Sequence, residues 1–150
     1  MKIEIVNHTK SGLPSQKMIK DSLKFFEKAL IQKKILSFKT ADKKLLVAFV
    51  SALEIKKLNK RYLKKDRQTD ILSFSPIEDN SLGELVLCVE QIKKQAHENQ
   101  LSFKEEIAYL LLHGFLHLLG YHHEAGGAEA KKMYQIQDEI FSNWQKFNPH

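Results

Sequence analysis

Four of the seven histidines lie within eleven residues, His113 to His123, which read HGFLHLLGYHH. His113 and His117 are four apart, and on a helix that spacing puts both imidazoles on one face about one turn apart. Gly120 ends such a helix, because glycine takes up the left-handed conformation of a helix terminus at little cost. The chain then turns back, and His123 reaches the same point in space. A lone histidine on an apolar helix face is usually a core residue. Two at this spacing, with a third beyond a helix-ending glycine, form a ligand set. Three imidazoles with an open fourth position describe a catalytic zinc site, in which the ion lowers the pKa of a water to about 7. The metal candidates are therefore His113, His117 and His123, with one zinc ion per chain; nickel or another divalent transition metal also suits this donor set.

The spacing overlays the protease pattern H-E-x-x-H-x-x-G-x-x-H, glycine included. One position differs. Gly114 stands where those proteases carry their general-base glutamate, so the metal arrangement fits a hydrolase while peptide cleavage lacks its base. The register selects His123 over His122 as third ligand. His122 reads as a solvated turn residue, with a proton shuttle or alternative ligand as the sharper reading.

The elements that must hold this site follow from periodicity. Lys2 to Val6 alternates as a half-buried strand. A helix is expected from Ser15 to Lys34, with Ile19, Leu23, Phe26 and Leu30 inward. Thr40 to Lys44 is polar and reads as a loop. Leu45 to Val50 is a continuous apolar run, as in a central strand. Ser51 and Glu54 form a capping box for a helix that runs to Leu63 with Leu58 and Tyr62 inward. A charged loop, 64–68, follows. Ile71 to Phe74 and Leu82 to Cys88 are strands close enough in sequence to pair antiparallel. A short helix spans Glu90 to Glu98. A second capping box, Ser102 with Glu105, opens the helix that carries His113 and His117. That helix is apolar on nearly every side up to Leu119, so it is buried. Ala125-Gly126-Gly127 reads as a flexible link. A last helix runs from Glu129 to Lys146, with Met133, Ile136, Ile140, Trp144 and Phe147 inward. The order β-α-β-α-β-β-α-α-α predicts a single α/β (α+β) domain over 1–150. Its mixed sheet has about four strands covered by about five helices, with the metal site on a buried helix and the turn after it.

Composition narrows the class. The length suits one domain with a proper core. No run approaches the ~20 apolar residues of a membrane span, and charged residues in MKIEIVNHTK interrupt where a signal peptide needs an apolar core. Cys88 is the single cysteine; it reads as core and suits a reducing cytoplasm. The net charge of +6 is unevenly spread: residues 1–67 hold 18 of the 24 Lys and Arg against 6 acids, a net of +12, and the remainder carries −6. A basic surface favours a polyanion such as RNA or DNA, although lysines also line ordinary wet helix faces.

HGFLHLLGYHH resembles the signature of the YbeY family of bacterial rRNA maturation factors. Thr69-Asp70-Ile71-Leu72-Ser73-Phe74 is similar to the family's T-D-V-L-S-F segment, and Leu82-Gly83-Glu84-Leu85-Val86-Leu87 to its L-G-D-I-V-I strand. Leu58, Asn59 and Tyr62 fit the segment before the charged loop. Three positions depart from the pattern: His122 replaces an Asp, Leu63 an Arg and Gln68 a Pro. The resemblance implies a zinc-dependent, single-strand-specific endoribonuclease acting in the cytoplasm on rRNA or a ribosomal subunit. It implies a role for the Arg absent at Leu63, and Arg61, Lys64, Lys65 and Arg67 lie close enough to supply that charge. The base would be a metal hydroxide, His122 or the RNA's own 2′-hydroxyl. The alternatives are a metallohydrolase of protease or amidase type and a non-catalytic, zinc-stabilised ribosome assembly factor.

Overall fold

The computed structural model describes residues 1–124 and 126–148. The sheet is built on two inner strands whose apolar residues point both ways. In β2 (Lys44–Val50), Leu45, Val47 and Phe49 pack into one core, and Ala48 and Val50 into a second. In β4 (Ser81–Cys88), Leu85 and Leu87 face the first core, and Val86 and Cys88 the second. Strands covered on both faces read as continuous apolar runs. β1 (Lys2–Asn7) pairs parallel with β2, and β2 parallel with β4. β3 (Ile71–Phe74) pairs antiparallel with β4, giving the order β1-β2-β4-β3. The expected mixed four-stranded sheet, its element order and the antiparallel β3–β4 pair are all present.

Five α-helices cover it: α1 (Gln16–Gln32), α2 (Ala52–Leu63), α3 (Val89–Glu98), α4 (Phe103–Leu118) and α5 (Gly127–Phe147). α1, α4 and α5 build the larger core, in which Phe26, Phe115, Met133 and Trp144 are fully buried. Trp144 Nε1 donates to Ser22 Oγ at 3.1 Å, tying α5 to α1. α2 alone packs on the other face, through Ile55 with Ala52 and Leu58.

Several expectations change. A 3-10 turn, Phe38–Asp42, stands where a loop was expected from Thr40 to Lys44. Tyr62 is 55% exposed, because the buried stripe of α2 is Ile55 and Asn59; its ring meets Phe74 edge-on at 5.6 Å. Phe147 is 75% exposed at the end of α5, where it touches the ring of Phe25 beyond the edge of the core. At Ser51 the side chain accepts from the Glu54 amide, but the Glu54 carboxylate turns to His8 rather than back to its own cap. Ala125 of the expected link lies outside the described residues; Gly126 caps α5 and Gly127 begins it. Among the described residues, no helix is long and apolar enough to cross a membrane.

α4 is the helix that matters for the site, and it approaches the sheet unusually closely at Gly114. A Cβ there would lie 2.7 Å from Ile71 Cδ1, 2.8 Å from Leu85 Cδ2 and 3.2 Å from Ser73 Oγ. A side chain in the place of the protease glutamate would therefore have to displace the tips of Ile71 and Leu85: this position is where helix and sheet touch. Glycine inside a helix costs about 1 kcal/mol relative to alanine, so the contact must outweigh that cost. Gly114→Ala is expected to lower the free energy of urea unfolding by about 1–2 kcal/mol, overpacking exceeding the gain in helix propensity. Unchanged or increased stability would contradict the close crossing.

Candidate metal centre and its cleft

α4 starts from a complete capping box: Ser102 Oγ accepts from the Glu105 amide (3.1 Å), and the Glu105 carboxylate accepts from the Ser102 amide (3.0 Å). From there the helix is buried along most of its length, with Ile107, Leu111, Leu112 and Phe115 fully enclosed. Its remaining partly open face carries His113 and His117. α4 ends at Leu118, and Gly120 takes a φ of +98°, which sends the chain back over the same face.

This turn brings the three expected histidines together. One ring nitrogen from each of His113, His117 and His123 lies within 4.8 Å of the others, a group that could hold a metal ion. The Nε2 atoms of His113 and His117 are 3.0 Å apart. Burial pushes the pKa of His113 down, against the pull of its bond to Gln137. Burial, followed by the proximity of His113, holds His117 down at about 4. Both imidazoles are thus uncharged at neutral pH, as ligands must be.

Gln137 fixes the orientation of His113. Its Oε1 lies 3.0 Å from His113 Nδ1. A carbonyl oxygen only accepts, so the proton sits on Nδ1 and the Nε2 lone pair is left for the cluster. Such outer partners set tautomer and ring angle in metal sites. His123 Nδ1 is buried with no hydrogen-bond partner among the described residues. His122 is exposed, outside the trio, with its ring 5.8 Å from that of His117. It belongs to a second, more open group with His117 and Glu124.

The cluster opens into a cleft of about 680 Å³. The structure divides the four basic residues considered from sequence. Lys65 and Arg67 line this cleft, as does Leu63. Arg61 does not; its guanidinium lies over the Tyr62 ring at 5.3 Å. Lys64 does not either, since it caps α2 in the left-handed conformation. Another part of the wall is a part-buried polar network around the buried Glu106 that periodicity did not bring out. Gln95 Nε2 donates to Asp70 Oδ2 (3.1 Å) and Glu106 Oε1 (3.4 Å), and Asn99 Nδ2 donates to Glu106 Oε2 (3.3 Å).

A family model described as Endoribonuclease YbeY matches residues 4–145. The chain belongs to the YbeY family. It is 41% identical over 141 residues to the Endoribonuclease YbeY of Bdellovibrio bacteriovorus, covering 94% of this chain and 93% of the relative. The Petrotoga mobilis Endoribonuclease YbeY is 37% identical over 144 residues, covering 94% of each. The solution structure of TM1509 from Thermotoga maritima superposes with a TM-score of 0.63 at 29% identity, covering 97% of this chain and 93% of that one.

Within this candidate site, Gln137 and Asn59 carry a faint signal in the sequence. Each is a polar residue at an inward position of an apolar helical stripe: Gln137 between Met133 and Ile140, Asn59 four residues after Ile55. Glu106 is similarly a polar residue just before the apolar run of its helix that starts at Ile107.

Two tests follow. Replacing Gln137 with Leu should weaken metal affinity about 10- to 100-fold, read by competition with a chelating dye; unchanged affinity would remove its orienting role. Glu106 is 1% exposed, and burial raises its carboxyl above the ordinary 4.5, with nearby Asp70 adding to the shift. A raised folded pKa favours the protonated form, so this contribution to stability is present at low pH and lost as pH rises through the folded value. The stability of wild type relative to Glu106→Gln should therefore decline as pH is raised from about 4.5. A difference that grows with pH would contradict this environment.

Proposed function

We propose that this chain is a metal-dependent endoribonuclease that cuts single-stranded RNA. In this reading His113, His117 and His123 hold one zinc ion, and Lys65 and Arg67 grip the RNA backbone. The observation that carries it is the opening of the three-histidine cluster into the same cleft as the basic loop residues, in a member of an endoribonuclease family.

The residues fit a zinc ion on their own chemistry. His113 and His117 are uncharged, Gln137 presents the His113 lone pair, and His123 Nδ1 is buried without a protein partner. A zinc ion bound there supplies Lewis acidity and a water of lowered pKa. The remaining work falls to the chain. Lys65 and Arg67 bind phosphate oxygens, position the strand, and offset charge that develops at the scissile phosphate. His122 is the candidate for moving a proton. Gly114 leaves no space for a carboxylate base on α4, which argues against peptide hydrolysis. The substrate proposed is rRNA, free or within a ribosomal subunit.

The test is cleavage of a single-stranded rRNA fragment by wild type and His117→Ala, purified identically, with and without chelator. Wild type alone should cut, and chelator should stop it. End-group analysis then separates attack by water from attack by the 2′-hydroxyl, which leaves a cyclic phosphate. Equal cleavage by both proteins would mean a contaminating nuclease. RNA bound but uncut by both would move the chain to a non-catalytic assembly role, and chelator-sensitive casein hydrolysis would restore the protease reading.

A further inference from the structure

Lys65 and Arg67 sit on a short loop, and long side chains on a loop need something to aim them. The loop is held from one point. Asn59 is 2% exposed, on the inward stripe of α2, and it lines the same cleft as Lys65, Arg67 and the histidines. Its Nδ2 donates to the Arg67 carbonyl at 3.0 Å. Its own backbone carbonyl accepts from the Lys65 amide at 3.2 Å. One residue thus grips the loop at both basic positions. Rotating the amide by half a turn would set its oxygen against the Arg67 carbonyl, so the observed orientation is the one that bonds. Two further features close the loop on this grip. Lys64 takes a φ of 56°, which reverses the chain straight after the helix, and the Arg67 amide donates to the Lys65 carbonyl at 2.9 Å. Asp66 lies 3.8 Å from Lys60, so the loop's acid is directed back to α2. Among the described residues, neither Lys65 nor Arg67 is in an ion pair, and both charges are available to an anion.

We propose that Asn59 is a positioning residue for RNA binding: by bonding the loop backbone at residues 65 and 67, it aims both cations into the cleft beside the histidine cluster. This rests on the reading that Lys65 and Arg67 contact the RNA backbone. Asn59 itself need not touch RNA. Asn59 Nδ2 makes this bond while Oδ1 is buried with no partner among the described residues, so the amide is kept at a desolvation cost that an apolar residue would not carry.

The experiment is a double-mutant cycle read as RNA affinity against salt. The variants are Asn59→Leu, the pair Lys65→Ala with Arg67→Ala, and all three together, on a labelled single-stranded RNA with the metal-loaded protein. Leucine keeps the bulk and burial of the side chain while removing the donor. Circular dichroism and retained metal content confirm folding, and Asn59→Ser serves if leucine does not fold. Asn59→Leu should weaken binding on the order of tenfold, and flatten the log–log salt slope by about 0.7, one phosphate contact on a single strand, because leucine keeps the backbone carbonyl that holds residue 65. The triple variant should bind no more weakly than the Lys65/Arg67 pair, because Asn59 acts only through them. A triple variant that loses the product of both effects would overturn the proposal, as would Asn59→Leu with wild-type affinity and slope. If wild type itself shows no salt dependence, or the Lys65/Arg67 pair binds as wild type, the underlying reading of the loop fails instead.

Discussion

The contact of α4 with the sheet at Gly114 sets the geometry of the molecule. A side chain at this point of the helix would displace the tips of Ile71 and Leu85, and glycine lets the helix lie against them. α1 and α5 pack around the helix, and that packing holds the imidazole before Gly114 and the one three residues after it in place. The turn after α4 then has one job, to return His123 to the same face, and the positive φ of Gly120 allows it. Preorganisation of this kind is what a metal-binding triad requires: ligands fixed by packing need little rearrangement when an ion arrives.

Around that helix, the positioning is done by polar groups buried in apolar stripes. Gln137 fixes the tautomer of His113, and Asn59 grips the basic loop. Gln95 bridges Asp70 on the strand side and Glu106 on α4. Each is buried or partly buried and spends a hydrogen bond on its partner, while Gln137 Nε2 and Asn59 Oδ1 are buried with no partner among the described residues. The cleft is accordingly asymmetric in chemistry, with the two uncharged imidazoles of α4, two cations that are in no ion pair among the described residues, and a buried acid cushioned by amides. That combination suits a polyanion bound through its phosphates near a Lewis-acid centre.

Much of this was legible from the chain. The i, i+4 histidines, Gly120 and His123 marked the cluster because helical spacing is local geometry. The apolar runs of β2 and β4 marked inner strands, and the Ser102–Glu105 pair marked the start of the site helix. Other features depend on tertiary packing. Gly114 read as a missing base, when its reason is steric and comes from residues some 30 to 40 positions away. The charge asymmetry pointed to the whole first part of the chain, yet of the four basic residues singled out near the loop only Lys65 and Arg67 reach the cleft. Tyr62 was placed inward by periodicity. The face of the sheet under α2 is covered by that helix alone, and its stripe closes over Ile55 and Asn59.

The most direct test of the account is a zinc titration into chelator-stripped protein, following bound metal and cleavage of single-stranded RNA in the same samples. If the three histidines form one site that the reaction needs, cleavage will rise in step with bound zinc and break sharply at one equivalent per chain. Cleavage already maximal before zinc is added, or one equivalent bound with no gain in cleavage, would contradict the account.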